Sequence, residues 1–139
     1  MKLTRRNAMV MGAGAFVALG LPLRASASLA DDAIAAFTGG AEMADSGITL
    51  TAPEIAENGN TVPVEVSAPG AAEILVLATG NPTPAVATFK FGALAASQTA
   101  STRIRLAGTQ DVVAIAKMPD GTFAKASSTV KVTIGGCGG

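Results

Sequence analysis

Turn signals recur at short intervals from Gly47 to Ile134, and their spacing restricts the fold more than any other feature of the sequence. Between them lie about seven apolar or alternating runs, at intervals of roughly 8–12 residues: GITLTAP, TVPVEVSA, AEILVLATG, AVATFKF, QTASTRIRLAG, TQDVVAIAKM and FAKASSTVKVTI. Asn-Gly, Pro-Gly and Pro-Asp-Gly sequences separate several of these runs and favour tight turns. Short strands at this spacing are typical of an immunoglobulin-like β-sandwich, so we expect an all-β domain over residues 47–134.

Some runs also predict where their strands lie. TVPVEVSA alternates apolar and polar residues, but Pro63 cannot donate a backbone hydrogen bond, so its strand lies at a sheet edge or has a locally free side. AEILVLATG is continuously apolar, which predicts a central strand. ENGN, residues 57–60, predicts a turn because Asn-Gly accepts positive φ.

A short helix is predicted before the strands. In DDAIAAFTGG, Asp31 or Asp32 can cap its N-terminus and Gly39-Gly40 can end it. A helix of this length is not stable alone, so we expect it to pack on the domain or on a partner chain. It belongs to an N-terminal segment, residues 28–46, that precedes the sandwich.

Residues 1–27, MKLTRRNAMVMGAGAFVALGLPLRASA, have the pattern of a cleaved export signal. A basic start that includes Arg5 and Arg6 precedes a modestly apolar run, and Ala-Ser-Ala at residues 25–27 matches a small-x-small cleavage pattern. The apolar run is shorter and richer in glycine than a membrane span. The paired arginines favour the twin-arginine route, with an ordinary Sec signal as the alternative. We therefore expect a periplasmic protein that folds or meets a partner before export, with no membrane segment after signal removal.

Cleavage after Ala27 would change the charge of the chain. The full sequence has ten basic and ten acidic residues, and the signal holds four of the basic ones and none of the acidic ones, which leaves a net charge of −4. A mildly acidic domain has no electrostatic basis for binding nucleic acid.

The sequence lacks the side chains from which many catalytic and metal sites are built. It has no histidine and one cysteine, which excludes a Cys/His zinc site and a Ser-His-Asp or Cys-His pair within this chain. The carboxylates show no clustered spacing, and a core without Trp or Tyr suits thin sheets better than a deep ligand pocket. We therefore expect no catalytic residue, no metal and no cofactor in this chain.

The one cysteine, Cys137, lies in the terminal sequence GGCGG, directly after the last predicted strand. The glycines around it are Gly135, Gly136, Gly138 and Gly139. Glycine has the least bulk and the greatest backbone freedom. We therefore predict that residues 135–139 form a flexible arm, which can place the sulfur up to ~10 Å beyond the sheet. No Lys, Arg or His adjoins the thiol, so we expect a partner enzyme to activate it.

A lone exposed thiol in an exported protein allows two interpretations. Without a second cysteine the chain cannot run a dithiol–disulfide cycle by itself, but its thiol can hold a cargo covalently. Alternatively, Cys137 forms an inter-chain disulfide in a structural or adhesion assembly. The residues alone leave both interpretations open.

Four features together resemble the SoxY family, the sulfur-carrier subunits of the bacterial Sox thiosulfate-oxidation system. They are the signal with paired arginines, PEIAENGNTVPVEVSA at residues 53–68, GTQDVVAIAKMPDG at residues 108–121, and the terminal GGCGG. The resemblance implies that Cys137 carries sulfur intermediates as an S-thiosulfonate or persulfide adduct. It also implies that the chain is a carrier rather than an enzyme and forms a heterodimer with a SoxZ-like sandwich protein.

The resemblance further implies transient partners that act on the carried sulfur. A SoxAX-type cytochrome complex attaches thiosulfate oxidatively, a SoxB-type hydrolase releases sulfate, and a SoxCD-type dehydrogenase oxidises the sulfur that remains.

Two arginines form a small basic stripe on one predicted strand. In QTASTRIRLAG, we expect Ile104 and Leu106 to face inward, with Arg103 and Arg105 outward. The simpler interpretation of the stripe is a solvated strand face. The alternative is a role in docking or in attracting the anionic cargo.

Overall fold

The computed structural model describes residues 26–135, and the side chains from Leu29 onward. In this range the chain forms one helix and nine strands, which are α1 (Ser26–Thr38), β1 (Met43–Ala44), β2 (Thr49–Thr51), β3 (Ile55–Asn58), β4 (Val62–Ser67), β5 (Glu73–Ala78), β6 (Ala85–Lys90), β7 (Thr99–Ile104), β8 (Gln110–Lys117) and β9 (Phe123–Ile134). No helix in this range is long and apolar enough to cross a membrane.

The strands form two sheets that pack face to face. The larger sheet has the order β1-β9-β8-β5-β6, with β3 also paired to β9, and the smaller sheet has the order β2-β4-β7. Neighbouring strands are antiparallel except for β1 and β3, which both run parallel to β9. The predicted all-β, immunoglobulin-like sandwich is confirmed, and each predicted run contains one strand, β2 or one of β4 to β9.

Strands β1 and β3 were not predicted from the sequence, and each of these strands is formed by pairing with β9. They are two and four residues long, which is too short for alternation of apolar and polar residues to identify a strand. β9 spans twelve residues, and it pairs with Met43 through Phe123 near its start and with Asn58 through Ile134 at its end. Such pairing depends on where distant residues meet, so no local pattern predicts it.

The core between the sheets is built from small and branched aliphatic side chains, as the composition predicts. Val62, Val64 and Val66 of β4 face inward and are at most 4% exposed. Ile104 and Leu106 are buried with them, in agreement with the predicted inward face. Full burial of such a side chain stabilises the fold by roughly 1.5–3 kcal/mol, so this cluster holds the two sheets together.

Helix α1 covers the outer face of the larger sheet. Its Ile34 and Phe37 pack on a second cluster from the other faces of β5 and β8, which includes Leu77 and Ile115. The rings of Phe37 and Phe123 meet edge to face, with centroids 5.8 Å apart. β5 is therefore buried on both faces and lies between β6 and β8, which confirms the predicted central strand.

The predicted start of the helix is wrong, because α1 begins at Ser26 rather than at Asp31 or Asp32. The alanines and the leucine before these aspartates are strong helix formers, so the helix extends through them, and both aspartates lie exposed on its surface. The predicted end is correct, because α1 ends at Thr38 and Gly39 follows it with a φ of 65°.

The strand with Pro63 was predicted to lie at a sheet edge or to have a locally free side, and the second possibility is confirmed. β4 is the middle strand of the smaller sheet, but β2 pairs with it only from Glu65 to Ser67. Pro63 therefore has β7 on one side and no strand on the other within the described sheet. The missing N–H thus lies where the sheet is locally two strands wide.

The turn at residues 57–60 has a different structure from the one predicted. Asn58 still belongs to β3, and the turn closes when the Thr61 amide donates to the Asn58 carbonyl at 3.4 Å. Gly59 does not take positive φ, so the reason given for this turn is wrong. Gly59 is instead buried at the base of the C-terminal arm.

Candidate functional site

The structure shows the root of the predicted arm rather than the arm itself. Gly135 is the last described residue, and the remaining predicted site residues lie outside the described range: Gly136, Cys137, Gly138 and Gly139, as well as Arg5 and Arg6. The site is therefore built from the scaffold at the end of β9, where the arm leaves the domain.

Strand β3 holds one side of the last residues of β9. The ladder between β8 and β9 ends at Val130, and the rest of β9 pairs with β3 from Lys131 to Ile134. Thr133 Oγ1 adds a bond by donating to the Glu57 carbonyl at 2.9 Å. β3 is therefore the element that keeps β9 extended after its antiparallel partner has ended.

The loop between β7 and β8, residues 105–109, flanks the other side of the same residues. The Val132 amide donates to Thr109 Oγ1 at 2.9 Å, so a side-chain hydroxyl takes the place of a strand carbonyl. The last residues of β9 are thus supported by strand β3 on one side and by the Thr109 side chain on the other.

Gly59 connects the arm-bearing strand to the other sheet. Its amide donates to the Ile134 carbonyl at 2.7 Å, and its own carbonyl accepts from the Leu106 amide at 2.8 Å. Leu106 follows β7 and is fully buried. One buried glycine therefore bridges the end of β9 and the end of β7, which belong to different sheets.

Gly135 packs directly on the loop between β7 and β8. A Cβ built at this position would overlap the carbonyl oxygen of Ala107. Glycine is thus required here by close approach of two backbones, in addition to any freedom it gives the arm. The first glycine of the arm belongs structurally to the scaffold.

A buried asparagine shapes the loop on which Gly135 packs. Asn81 is 0% exposed, and its Nδ2 donates to the Arg105 carbonyl at 2.7 Å. Its Oδ1 accepts from the Ala107 amide at 2.9 Å. One side chain therefore holds the backbone on both sides of Leu106.

Gln110 completes this polar network. Its Nε2 donates to Asn81 Oδ1 at 2.9 Å and to the Gly108 carbonyl at 3.0 Å, and its Oε1 accepts from the Gly80 amide at 2.8 Å. No buried side-chain polar atom between Leu29 and Gly135 lacks a partner. Low solvent access makes such satisfied networks strong determinants of local geometry.

Sequence reasoning did not identify Gly59, Asn81 or Gln110 as part of the site. Asn81 precedes a proline, which predicts a turn, and Gln110 opens a strand, and neither position indicates burial. The available signal was weak: a turn-forming Asn-Pro pair immediately after the most apolar run of the chain.

Arg103 and Arg105 are exposed, as predicted. They line a cleft of about 330 Å³ between β7 and the start of β6, together with Thr83, Ala85, Val86 and Ile104. Within residues 29–135 the ion pair is Lys90–Glu73, at 3.7 Å, so neither arginine has a carboxylate partner there. Arg103 Nη1 donates to Thr61 Oγ1 at 3.5 Å.

Other surface features lie apart from the root of the arm. A groove of about 540 Å³ crosses the smaller sheet, where Ser101 Oγ donates to Glu65 Oε2 at 3.0 Å. The turn between β8 and β9, at the opposite end of β8, holds Asp120, whose pKa is lowered by hydrogen bonds from the Thr122 hydroxyl and amide. The described residues contain no group of three or more His, Cys, Asp or Glu that could hold a metal ion.

Comparison with known proteins relates the chain to sulfur oxidation. The family of sulfur oxidation protein SoxY matches residues 34–137, a range that ends at Cys137. Among solved structures, the sulfur carrier protein SoxY from Chlorobium limicola f thiosulfatophilum is 40% identical, with a TM-score of 0.67, and the match covers 78% of this chain and 99% of that one. No curated protein sequence matches the chain.

More distant structures share the fold alone. Superoxide reductase (neelaredoxin) from Ignicoccus hospitalis has a TM-score of 0.55 at 18% identity, covering 63% of this chain and 80% of that one. A putative superoxide reductase from Thermotoga maritima has a TM-score of 0.52 at 18% identity, covering 61% and 84%. The family match, by contrast, includes most of the sequence and the terminal cysteine. The chain therefore belongs to the SoxY family of sulfur oxidation proteins.

Proposed function

We propose that this protein is a sulfur carrier, whose Cys137 holds a sulfur-oxidation intermediate covalently while partner enzymes act on it. The observation that carries the proposal is the rigid root of the arm. β9 runs past β8, where β3 pairs with it as far as Ile134 and the Thr109 hydroxyl holds Val132 on the other side, so the tail starts from a fixed point at the end of the sandwich. The family match, which ends at Cys137, supports the same residue.

The geometry suits a thiol that must enter other proteins. Cys137 lies two residues beyond Gly135, so its Cα is at most about 7 Å from the root. Its neighbours add no side-chain bulk, whereas the two-sheet domain behind them is too wide for a narrow active-site channel. The carrier thus keeps its cargo outside its own fold and accessible to several enzymes.

In the proposed chemistry, partner enzymes accept the electrons and carry out the hydrolysis. The Cys137 thiolate and thiosulfate form a new sulfur–sulfur bond and lose two electrons to a SoxAX-type cytochrome complex, which gives Cys–S–S–SO3−. Water then cleaves the bond between the outer two sulfurs at a SoxB-type hydrolase, releasing sulfate and two protons and leaving a persulfide. A SoxCD-type dehydrogenase oxidises the remaining sulfur.

Location and the permanent partner also belong to this proposal. The signal with Arg5 and Arg6 supports export to the periplasm through the twin-arginine route. A SoxZ-like sandwich protein would form a heterodimer with this chain and share its export, because that route carries folded proteins.

The proposal is tested by moving the thiol. We expect Cys137→Ser to abolish thiosulfate-dependent electron transfer in an assay reconstituted with the cognate Sox enzymes. The matched control is Cys137→Ser combined with Ser97→Cys, which keeps one exposed thiol but places it in the loop before β7. Turnover that persists in Cys137→Ser, or that returns fully with Ser97→Cys, would contradict a carrier role for the arm.

The alternative function is an inter-chain disulfide through Cys137 in a structural assembly. It predicts that protein isolated from the periplasm runs as a covalent dimer without reductant and as a monomer with it. The carrier proposal predicts a monomeric chain under both conditions, with its thiol free or bearing sulfur.

A further inference from the structure

We propose that the cleft beside Arg103 and Arg105 is a docking site for this chain's own arm, and that it takes the anionic sulfur group bound to Cys137. The inference rests on the proposed function for the chemistry of the cargo. It adds a resting place on the carrier, used between encounters with the enzymes. The occupant is a named segment of the same chain, residues 136–139, which follow the described root.

The position of the cleft relative to the root is the first observation that carries this proposal. Gly135 packs closely against the carbonyl oxygen of Ala107, and Ala107 lies two residues after Arg105 in the loop between β7 and β8. Two residues span at most about 7 Å, which is also the greatest distance by which the Cys137 Cα can lie from Gly135. The sulfur can therefore reach Arg105 by turning back over the loop, without any change in the scaffold.

The charge of the cleft is the second observation. Both guanidinium groups are exposed and without a carboxylate partner in the described structure. Glu65, which lines the neighbouring groove together with Arg103, accepts a hydrogen bond from Ser101. Arginine presents a planar set of donors that suits a sulfonate as well as a carboxylate, and it stays charged at every relevant pH.

The fixed backbone around the cleft is the third observation. Asn81 Nδ2 holds the Arg105 carbonyl at 2.7 Å, and Ile104 between the two arginines is buried in the core. Arg103 therefore projects from β7, and Arg105 projects from the first residue of the loop that follows, where Asn81 holds the backbone. An anion-binding pair on such a scaffold loses less conformational freedom on binding than one on a free loop.

The cargo can be installed without any Sox enzyme, which separates this inference from the proposed function. The Cys137 thiolate attacks a central sulfur of tetrathionate, the central sulfur–sulfur bond breaks, and thiosulfate leaves with the electron pair. The product, Cys–S–S–SO3−, carries an anionic sulfonate group. Methyl methanethiosulfonate forms Cys–S–S–CH3 at the same position as the neutral control, with methanesulfinate leaving.

The test compares amide chemical shifts of the purified, ¹⁵N-labelled protein with each adduct. We expect the anionic adduct to shift the amides of Thr83, Ala85, Val86 and residues 103–107, and the neutral adduct to leave them unchanged. Arg105→Gln should remove at least half of that shift, and Lys125→Gln, which removes a charge elsewhere on the domain, should not. Equal shifts from both adducts, or no shift with the anionic one, would overturn the proposal.

A kinetic measurement gives an independent check that needs only a folded protein. Because tetrathionate is a dianion, loss of one nearby charge in Arg105→Gln should slow its reaction with Cys137 about twofold at physiological ionic strength and about fivefold at low salt. The rate with neutral methyl methanethiosulfonate should stay the same. Equal effects on both reagents, or none on either, would also overturn the proposal. Failure of enzymatic loading would bear on the proposed function alone.

Discussion

The glycines of the C-terminal sequence differ in what they do. At Gly135 the backbone approaches the Ala107 carbonyl so closely that no Cβ fits, so this residue is part of the packed scaffold. The four residues after it are where the sequence predicts freedom of movement. The boundary between scaffold and arm therefore falls within the glycine sequence.

Gly135→Ala tests this boundary. The added Cβ must displace either the end of β9 or the loop at Ala107, and overpacking of this kind costs about 1–3 kcal/mol. Chemical denaturation should show a loss in that range. Gly108→Ala in the same loop is the control, since a Cβ there meets no atom within 4 Å. Equal stability of both variants would contradict the close packing at Gly135.

Asn81→Ala tests the buried amide beneath the same loop. It leaves the Arg105 carbonyl and the Ala107 amide without their partner, and an unsatisfied buried polar group costs roughly 1–3 kcal/mol. We expect that loss in denaturation, together with faster hydrogen exchange at residues 105–108. Ser127→Ala, at an exposed position on β9, should change neither quantity.

At the scale of elements, β9 is the strand on which the proposed function depends. It begins at the turn that contains Asp120, pairs with β8 through its middle, and ends against β3 at the root of the arm. Its two ends are therefore far apart, and a change at the first turn should affect stability without affecting the thiol.

Asp120→Asn provides such a change, with a defined pH dependence. Hydrogen bonds from the Thr122 hydroxyl and amide, at 2.6 and 3.0 Å, lower the pKa of Asp120 in the folded protein. Its carboxylate thus stabilises the fold above its unfolded pKa of about 3.9, and this contribution is lost as pH falls through the lower folded pKa. Thermal melts should show Asp120→Asn less stable than wild type at pH 6, with the difference vanishing in acid. Asp45→Asn controls for net charge, and a difference independent of pH would contradict the account.

The packing of helix α1 on the larger sheet can be tested separately. Phe37→Ala removes the ring that meets Phe123. The ring is partly exposed, so we expect a loss of about 2–3 kcal/mol, below the usual range for a fully buried phenylalanine. Leu29→Ala, on the same helix but 49% exposed, should cost less. Similar losses in denaturation would show that the helix does not pack through Phe37.

For the whole molecule, local sequence patterns were enough to predict the sandwich. They were not enough to predict the residues that hold the root of the arm. Alternation in TVPVEVSA and continuous apolarity in AEILVLATG reflect how each strand is buried, so β4 and β5 could be predicted from the sequence alone. β3, Asn81 and Gly59 matter because of residues far away in sequence that they contact, and no local pattern contains that information. Cys137 could be singled out early because it is the one thiol in a chain without histidine.

At this scale the described residues form a two-sheet body that ends at the root of the arm, and the proposal places the reactive sulfur of Cys137 beyond that root. These residues show a scaffold for the tail, and the chemistry is assigned to partner enzymes. The central claim is therefore that Cys137 itself bears the oxidised sulfur.

The most direct test is mass spectrometry of the C-terminal peptide from protein isolated during thiosulfate oxidation. The account predicts that the peptide containing Cys137 carries additional sulfur, that the added mass is removed by reductant, and that it disappears when thiosulfate is withheld. A peptide that remains unmodified during active turnover, or that is found only as a disulfide with a second chain, would contradict the account.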